Sequence, residues 1–350
     1  MKIGIIGVGT IAAFHIEAYQ KNPNVEVYAF CDINEKRLKA MGEKYGVTRL
    51  YTDKDEMLKL EELDAVSVCT WNSAHAPCSI AALKAGKHVL CEKPMAMNAD
   101  EARAMKQAAD ENGKLLMIGF VRRFGNDCAV VKDFLDNGEF GDLYFAKATY
   151  LRRHGAPGGW FGDKSRSGGG PLIDLGVHVT DLARYLAGNP KPVSVYGVTF
   201  NKLGDRRGMT GRDGYTSSGA GRQDIFDVED LAAALIRFDS GLVLSLEASF
   251  SLNIKEDEGT IELFGTKAGA KLSPELEIFT DQNGHLINKS FFGSTALAFE
   301  NLFQNEIDHY VACVRDGLPC RSPAQDGIEI MRILDAVYES ARTGHEVVLG

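Results

Sequence analysis

Lys2-Ile3-Gly4-Ile5-Ile6-Gly7-Val8-Gly9-Thr10-Ile11-Ala12 opens the chain, and its reading decides the fold. Five residues of strand-like apolar sequence run into a Gly-x-Gly-x-x-Ala turn, and the turn runs into a helical stretch from Thr10 to Lys21. Gly7 permits the tight turn, Gly9 lets a backbone approach a pyrophosphate, and the third position needs only a small side chain, here Ala12. The first helical N–H groups, at Thr10 and Ile11, then face the phosphates with a partial positive charge. A lone glycine turn is a weak signal. Asp32 strengthens it, because it ends the second predicted strand about 20 residues further on, where a carboxylate accepts from both ribose hydroxyls and repels a 2′-phosphate. NAD is therefore expected over NADP, with nearby Arg37 weakening that preference slightly.

Outward from this turn, apolar strands at Val25–Phe30, Ala65–Thr70, Val89–Cys91 and Leu115–Phe120 alternate with helical stretches at Glu35–Tyr45, Pro77–Ala85 and Ala99–Asn112. Short, continuously apolar strands between helices imply βαβ units and a parallel sheet buried on both faces. The pattern changes after Arg122. A helix over Ala129–Asp136 precedes strand-like runs at Tyr144–Leu151, Val193–Phe200, Leu231–Phe238, Leu242–Ser251, Thr260–Phe264 and Leu276–Thr280. Helices over Asn301–Arg315 and Ala324–Thr343 close the chain. The fold class expected is α/β, with an N-terminal Rossmann domain (1–122) and a C-terminal α+β domain (123–350) carrying a mostly antiparallel open sheet. Residues 204–224, rich in Gly, Arg and Ser, read as a loop or lid in which Tyr215 and Arg222 are candidate substrate contacts.

Composition narrows the function. A chain of 350 residues can bury enough surface to fold without disulfides or metals, and a net charge of −9 argues against nucleic acid as partner. No apolar run is long enough for a membrane span and no signal peptide is visible. The seven cysteines form no C-x-x-C pair, so the reading is a cytoplasmic protein with no metal site.

Two segments carry candidate chemistry. Cys91-Glu92-Lys93-Pro94 places a lysine just past a buried strand, at the carboxyl edge where open α/β sheets bind ligands. Gly168-Gly169-Gly170-Pro171-Leu172-Ile173-Asp174-Leu175-Gly176-Val177-His178 puts Asp174 and His178 four apart, on one side of a predicted helix whose Leu172, Leu175, Val179 and Leu182 suit a core. A carboxylate beside an imidazole orients it and raises its basicity. The glycine run is expected to leave room for a ligand. An ordinary surface ion pair explains the spacing of Asp174 and His178 equally well. Arg122 and Arg123 follow the last Rossmann strand and are candidates for the cofactor and substrate respectively. Trp160 is a candidate for stacking on a sugar or for core packing. His15 reads as a packing or surface residue, and His309 and His345 as late-helix residues without partners.

Taken together, the Gly7-x-Gly9 turn, Thr70-Trp71-Asn72-Ser73-Ala74-His75, Glu92-Lys93-Pro94 and the segment from Gly169 to His178 resemble the Gfo/Idh/MocA oxidoreductase family, across the whole chain. The resemblance implies Lys93 as catalytic lysine, His178 as proton acceptor with Asp174 beside it, and Asn72 and His75 near the nicotinamide, although Trp71 departs from a proline often found there. With these, the cofactor-side candidates also include Thr70, Glu92 and Lys93, and the substrate-side candidates are Lys93, Arg123, Trp160, Asp174 and His178. It implies an NAD-dependent dehydrogenase acting on a sugar or cyclic polyol, and a homodimer or homotetramer formed through the C-terminal sheet. An enzyme that retains NAD while processing glycosides, a self-recycling oxidoreductase with permanently bound cofactor and a non-catalytic NAD sensor are the alternatives.

Overall fold

The computed structural model describes every residue except 207–208, 210–215, 218–220, 222–224 and 293–298. Tyr215 and Arg222 lie outside the described residues. By contact the chain divides into two compact units: Met1–Val121 with Ala298–Met331, and Arg122–Leu297 with Arg332–Gly350.

The first unit holds six parallel strands, β1 (Lys2–Ile6), β2 (Glu26–Cys31), β3 (Arg49–Tyr51), β4 (Ala65–Val68), β5 (His88–Glu92) and β6 (Leu116–Gly119), in the order 3-2-1-4-5-6. This is the doubly wound order whose ligands sit at the carboxyl ends of the strands. Ile3, Ile5, Val66, Val68, Val89 and Leu90 are buried, as a sheet covered on both faces requires. Helices at Thr10–Lys21, Glu35–Tyr45 and Ala99–Asn112 run as read from sequence, because their ends are chemically marked. Asn34 and Asn98 accept first-turn N–H groups, and Gly46 and Gly113 close the last turns in the left-handed conformation. The helix expected from Pro77 instead covers Asn72–Lys84, with Pro77 inside it, where its ring nitrogen cannot bond the Ser73 carbonyl. β3 and the short helix Lys54–Leu58 were not expected, since neither is long enough to show a period. The helix Phe299–Asp316 packs on the first helix, with Phe303 stacked on Phe14 at 5.1 Å.

The second unit is built on a nine-stranded sheet. Its strands are β7 (Leu143–Leu151), β8 (Pro192–Phe200), β9 (Leu231–Phe238), β10 (Val243–Ser249), β11 (Glu258–Gly265), β12 (Ala268–Lys271), β13 (Glu277–Gln282), β14 (His285–Ser290) and β15 (Val347–Val348). The order is 14-13-12-11-7-10-9-8-15, and every pair is antiparallel except β7 with β10. Alternation decides which face is covered: Ala146, Ala148, Leu244, Leu246, Ile261 and Leu263 are buried, while Lys147, Glu247 and Leu235 are exposed. β12, β14 and β15 escaped the sequence reading because they are short or largely polar. Gly197 lets β8 meet the residue 332–343 stretch of the last helix closely, since a Cβ there would lie 2.8 Å from a Val337 side-chain carbon.

Candidate active site

The glycine turn has two unlike glycines. Gly7 has φ +85, and a Cβ on it would sit 2.7 Å from the Cys69 carbonyl oxygen, so the turn excludes any side chain there. A Cβ on Gly9 would meet nothing within 4 Å. Gly9 is also the N-cap of the helix Thr10–Lys21, and no side chain caps that helix. Open space over uncapped N–H groups suits a pyrophosphate, and the residues present fit a dinucleotide. The buried Asp32 carboxylate at the end of β2 locks the turn by accepting from Val8 N at 2.9 Å. It also accepts from Asn34 N at 2.7 Å and from the Arg37 fork at 2.8 and 3.0 Å. Ribose hydroxyls therefore reach Asp32 only when the partly exposed Arg37 swings aside. Thr10 is exposed and Ile11 half-buried at the mouth of the turn.

At the end of β5 the chain builds a buried polar network. His15 Nε2 lies 2.8 Å from Glu92 Oε1, Ser67 Oγ is 3.4 Å from His15 Nδ1, and the Tyr19 hydroxyl is 2.8 Å from Ser67 Oγ. The other oxygen of Glu92 accepts from the backbone N–H of Lys93 at 3.1 Å, which fixes the start of the Lys93-Pro94 turn. Burial works to raise the Glu92 carboxyl, but the His15 hydrogen bond and charge, with Lys93 and His75, hold it below the usual carboxylate range. Glu306, fully buried beside this pair, is pushed well above that range by burial and by the Glu92 charge, and neither of its oxygens has a hydrogen-bond partner. The sequence reading placed His15 as packing or surface. His15 is indeed buried, its ring 5.5 Å from that of Phe303, and it also hydrogen-bonds Glu92, a pairing no local spacing announces.

His75 ties the same turn from the other side. Its Nδ1 is 2.7 Å from the Pro94 carbonyl and its Nε2 3.2 Å from the Thr70 carbonyl. Burial lowers its pKa, and a neutral ring can donate to one carbonyl only, so the proton belongs on the shorter contact. Asn72 is buried at the start of its helix, while Thr70 and Lys93 are half-buried. Glu92 and His75 thus act on the backbone around Lys93.

In the second unit, Leu172–Gly176 winds as a π-helix before Val177–Leu186 continues as α-helix. The expected face of Leu172, Leu175, Val179 and Leu182 is buried, and so is nearly everything else. Between Leu172 and Arg184, only Asp174 and His178 keep partial exposure. π-turns of this kind often re-aim side chains at functional sites. The glycine run ahead of it was expected to leave ligand space, and the structure overturns that. A Cβ on Gly169 would lie 1.9 Å from the Tyr338 hydroxyl, and one on Gly170 would lie 2.2 Å from the Glu229 carbonyl oxygen. The glycines serve close packing. Glu229 was missed in sequence: it accepts from Leu172 N at 3.2 Å and from the Tyr338 hydroxyl at 2.9 Å, so a carboxyl stands at the helix start. Burial raises its pKa against those hydrogen bonds.

Arg123 lies fully buried within the second unit, held by Asp181 at 2.6 and 3.0 Å and stacked 4.6 Å over Tyr185. Arg122 beside it is half-buried. Trp160, also half-buried, stacks on Phe161 at 4.1 Å. His309 has partners after all, Cys313 at 3.3 Å and Arg321 N at 2.9 Å, and His345 lies past the end of the last helix.

This geometry defines a dinucleotide-binding unit followed by a second α+β unit that presents a carboxyl and an imidazole. The oxidoreductase family model with an NAD-binding Rossmann fold, GFO_IDH_MocA, matches residues 1–120, and the model of the GFO/IDH/MocA C-terminal domain matches residues 128–271. The chain is 36% identical to D-glucoside 3-dehydrogenase of Escherichia coli, over 100% of this chain and 97% of that one. It is 28% identical to myo-inositol 2-dehydrogenase of Thermotoga maritima, over 93% and 92%. The crystal structure of aldose-aldose oxidoreductase from Caulobacter crescentus, complexed with glycerol, superposes with a TM-score of 0.82 at 26% identity, covering 100% of this chain and 99% of that one. The chain belongs to the Gfo/Idh/MocA oxidoreductase family, and its first unit has that family's NAD-binding Rossmann fold.

Proposed function

We propose that the protein moves a hydride between NAD and the hydroxyl-bearing carbon of a sugar or cyclic polyol. The observation that carries this is the exposure of Asp174 and His178, and of no other residue, along the otherwise buried stretch Leu172–Arg184. Burying an unsatisfied polar group is costly, so a titratable pair left open in such a helix has a use outside the core. His178 takes the hydroxyl proton, Asp174 orients its ring, and Lys93 hydrogen-bonds the same oxygen as negative charge grows on it. NAD, when bound, supplies the nicotinamide carbon that accepts the hydride. Gly7, Gly9 and the helix start hold the pyrophosphate, and Asp32 holds the ribose once Arg37 releases it. Glu92 and His75 keep the Lys93 turn in place from opposite sides. The relatives acting on a D-glucoside and on myo-inositol support the substrate class.

In this reading the first unit is the nucleotide domain and the second binds substrate and forms a homo-oligomer. Tyr196 and Leu235 stand opposite each other on the exposed face of β8 and β9, and Phe145 meets Phe264 at 5.8 Å across β7 and β11, which supports association through that sheet. Seven free thiols support a reducing, cytoplasmic setting. No described helix is long and apolar enough to cross a membrane. The test is absorbance at 340 nm with NAD and a panel of alkyl glucosides, free hexoses and inositols. NADH formation with at least one of them is expected, and none with the whole panel would refute the assignment.

A further inference from the structure

We propose that Cys313 and Cys320 are a redox modification site, joining as a disulfide when the protein meets a low-molecular-weight disulfide of the glutathione type, independently of hydride transfer. The seven thiols of the chain are free, and Cys320 is half-buried where the others are buried. An incoming disulfide therefore meets Cys320 first. A second sulfur stands ready beside it. The Cys313 and Cys320 sulfurs lie within 4.8 Å of each other, and the two thiols hydrogen-bond.

The backbone builds that proximity. Cys313 sits in the last turn of the helix Phe299–Asp316, and Gly317, at φ +71, turns the chain back in a conformation that suits glycine. Past Cys320 the connection is tied down twice. The Arg321 N–H donates to His309 Nε2, one helical turn before Cys313, at 2.9 Å, and the Ser322 carbonyl accepts from Ile118 N at 3.0 Å. Residues 317–320, between these anchors, have no regular structure to break. A disulfide needs about 2.05 Å between its sulfurs, so closure from within 4.8 Å takes side-chain rotation and a small movement of the connection.

The exchange balances with no further reagent. The Cys320 thiolate attacks one sulfur of the small disulfide, a mixed disulfide forms, and the released thiolate takes up the proton that Cys320 gave up. The Cys313 thiolate then attacks the Cys320 sulfur, and the second small thiol leaves with the Cys313 proton. Two cysteines are oxidised, and one disulfide is reduced to two thiols. Partial exposure at Cys320 keeps the new bond open to reduction, so the pair follows the thiol–disulfide balance around the protein. The bond also restrains the unfolded chain between 313 and 320, which stabilises the first unit.

The test incubates the full-length, reduced protein with glutathione disulfide, blocks the remaining thiols with N-ethylmaleimide and maps tryptic peptides by mass spectrometry. Cleavage after Arg315 and after Arg321 separates the two cysteines, so the 316–321 peptide linked to the one carrying Cys313 is the direct readout. Expected are that linked pair, a loss of two alkylatable thiols per chain, a higher Tm and full reversal by dithiothreitol. Cys313→Ser should stop at a glutathione adduct on Cys320, and Cys320→Ser should keep the Cys313 thiol alkylatable, with circular dichroism unchanged in both. Should the buried Cys313→Ser fold poorly, Cys320→Ser at its half-buried position carries the comparison. Retention of all seven thiols, a wild-type protein that stops at the Cys320 adduct, or bonds from Cys320 to any cysteine other than Cys313 would each overturn the proposal.

Discussion

Replacing Asp181 by alanine should cost about 3–5 kcal/mol of folding stability, the range for stranding one member of a buried ion pair. The geometry fits that class of interaction. The Arg123 guanidinium has no exposed surface, it is held by both Asp181 oxygens, and it stacks on Tyr185. Once the carboxylate goes, a permanently charged group remains in the core, because arginine cannot shed its proton there. At about 2–4 °C per kcal/mol for a unit of this size, Tm should fall by roughly 6–20 °C. Trp160 lies in the second unit and Trp71 in the first, so urea unfolding followed by tryptophan fluorescence in a Trp71→Phe background reports the affected unit. Arg123→Ala should cost a similar amount, whereas the apolar pair Arg123→Met with Asp181→Leu should recover most of it. A loss under about 1 kcal/mol for Asp181→Ala would refute the reasoning and return Arg123 to the substrate side.

Glu306→Gln should stabilise the protein increasingly with pH. The folded-state pKa of Glu306 is raised, so its contribution is present where the carboxyl is protonated and is lost as pH rises. Above the unfolded value of about 4.3, wild type should lose about 1.4 kcal/mol per pH unit relative to the variant until the folded value is passed, and a pH-independent difference between pH 5 and 7 would contradict it. Asp32→Ala should weaken NAD binding by one to two orders of magnitude, the size of charge-assisted hydrogen bonds, and shrink the preference over NADP in a fluorescence titration. Gly170→Ala should cost at least ~1–3 kcal/mol in denaturant unfolding, since the new methyl meets a backbone oxygen that cannot move away freely.

The parallel character of the first sheet and the main helices were legible because they are written locally. Gly7 and the caps Asn34, Asn98, Gly46 and Gly113 each act within a few residues of their own position. The roles proposed for Lys93, Asp174 and His178 rest on the resemblance, since the spacing of Asp174 and His178 alone suits a surface ion pair equally well. What could not be read depends on pairs distant in the chain. His15 meets Glu92 from 77 residues away, Arg123 meets Asp181 from 58, and Glu229 meets Tyr338 from 109. The glycine run misled for a related reason. A glycine makes room, but only the fold says whether a ligand or a tyrosine takes it.

The proposed function rests on Lys93 and His178 acting on one substrate oxygen. A double-mutant cycle on turnover tests it directly, using Lys93→Met, His178→Asn and the pair, with NAD affinity measured alongside. Each single change should lower kcat at least ~100-fold with NAD affinity kept, and the pair should be little slower than the slower single variant, as groups working as a unit behave. Losses that multiply, or a single variant with unchanged turnover, would contradict the account.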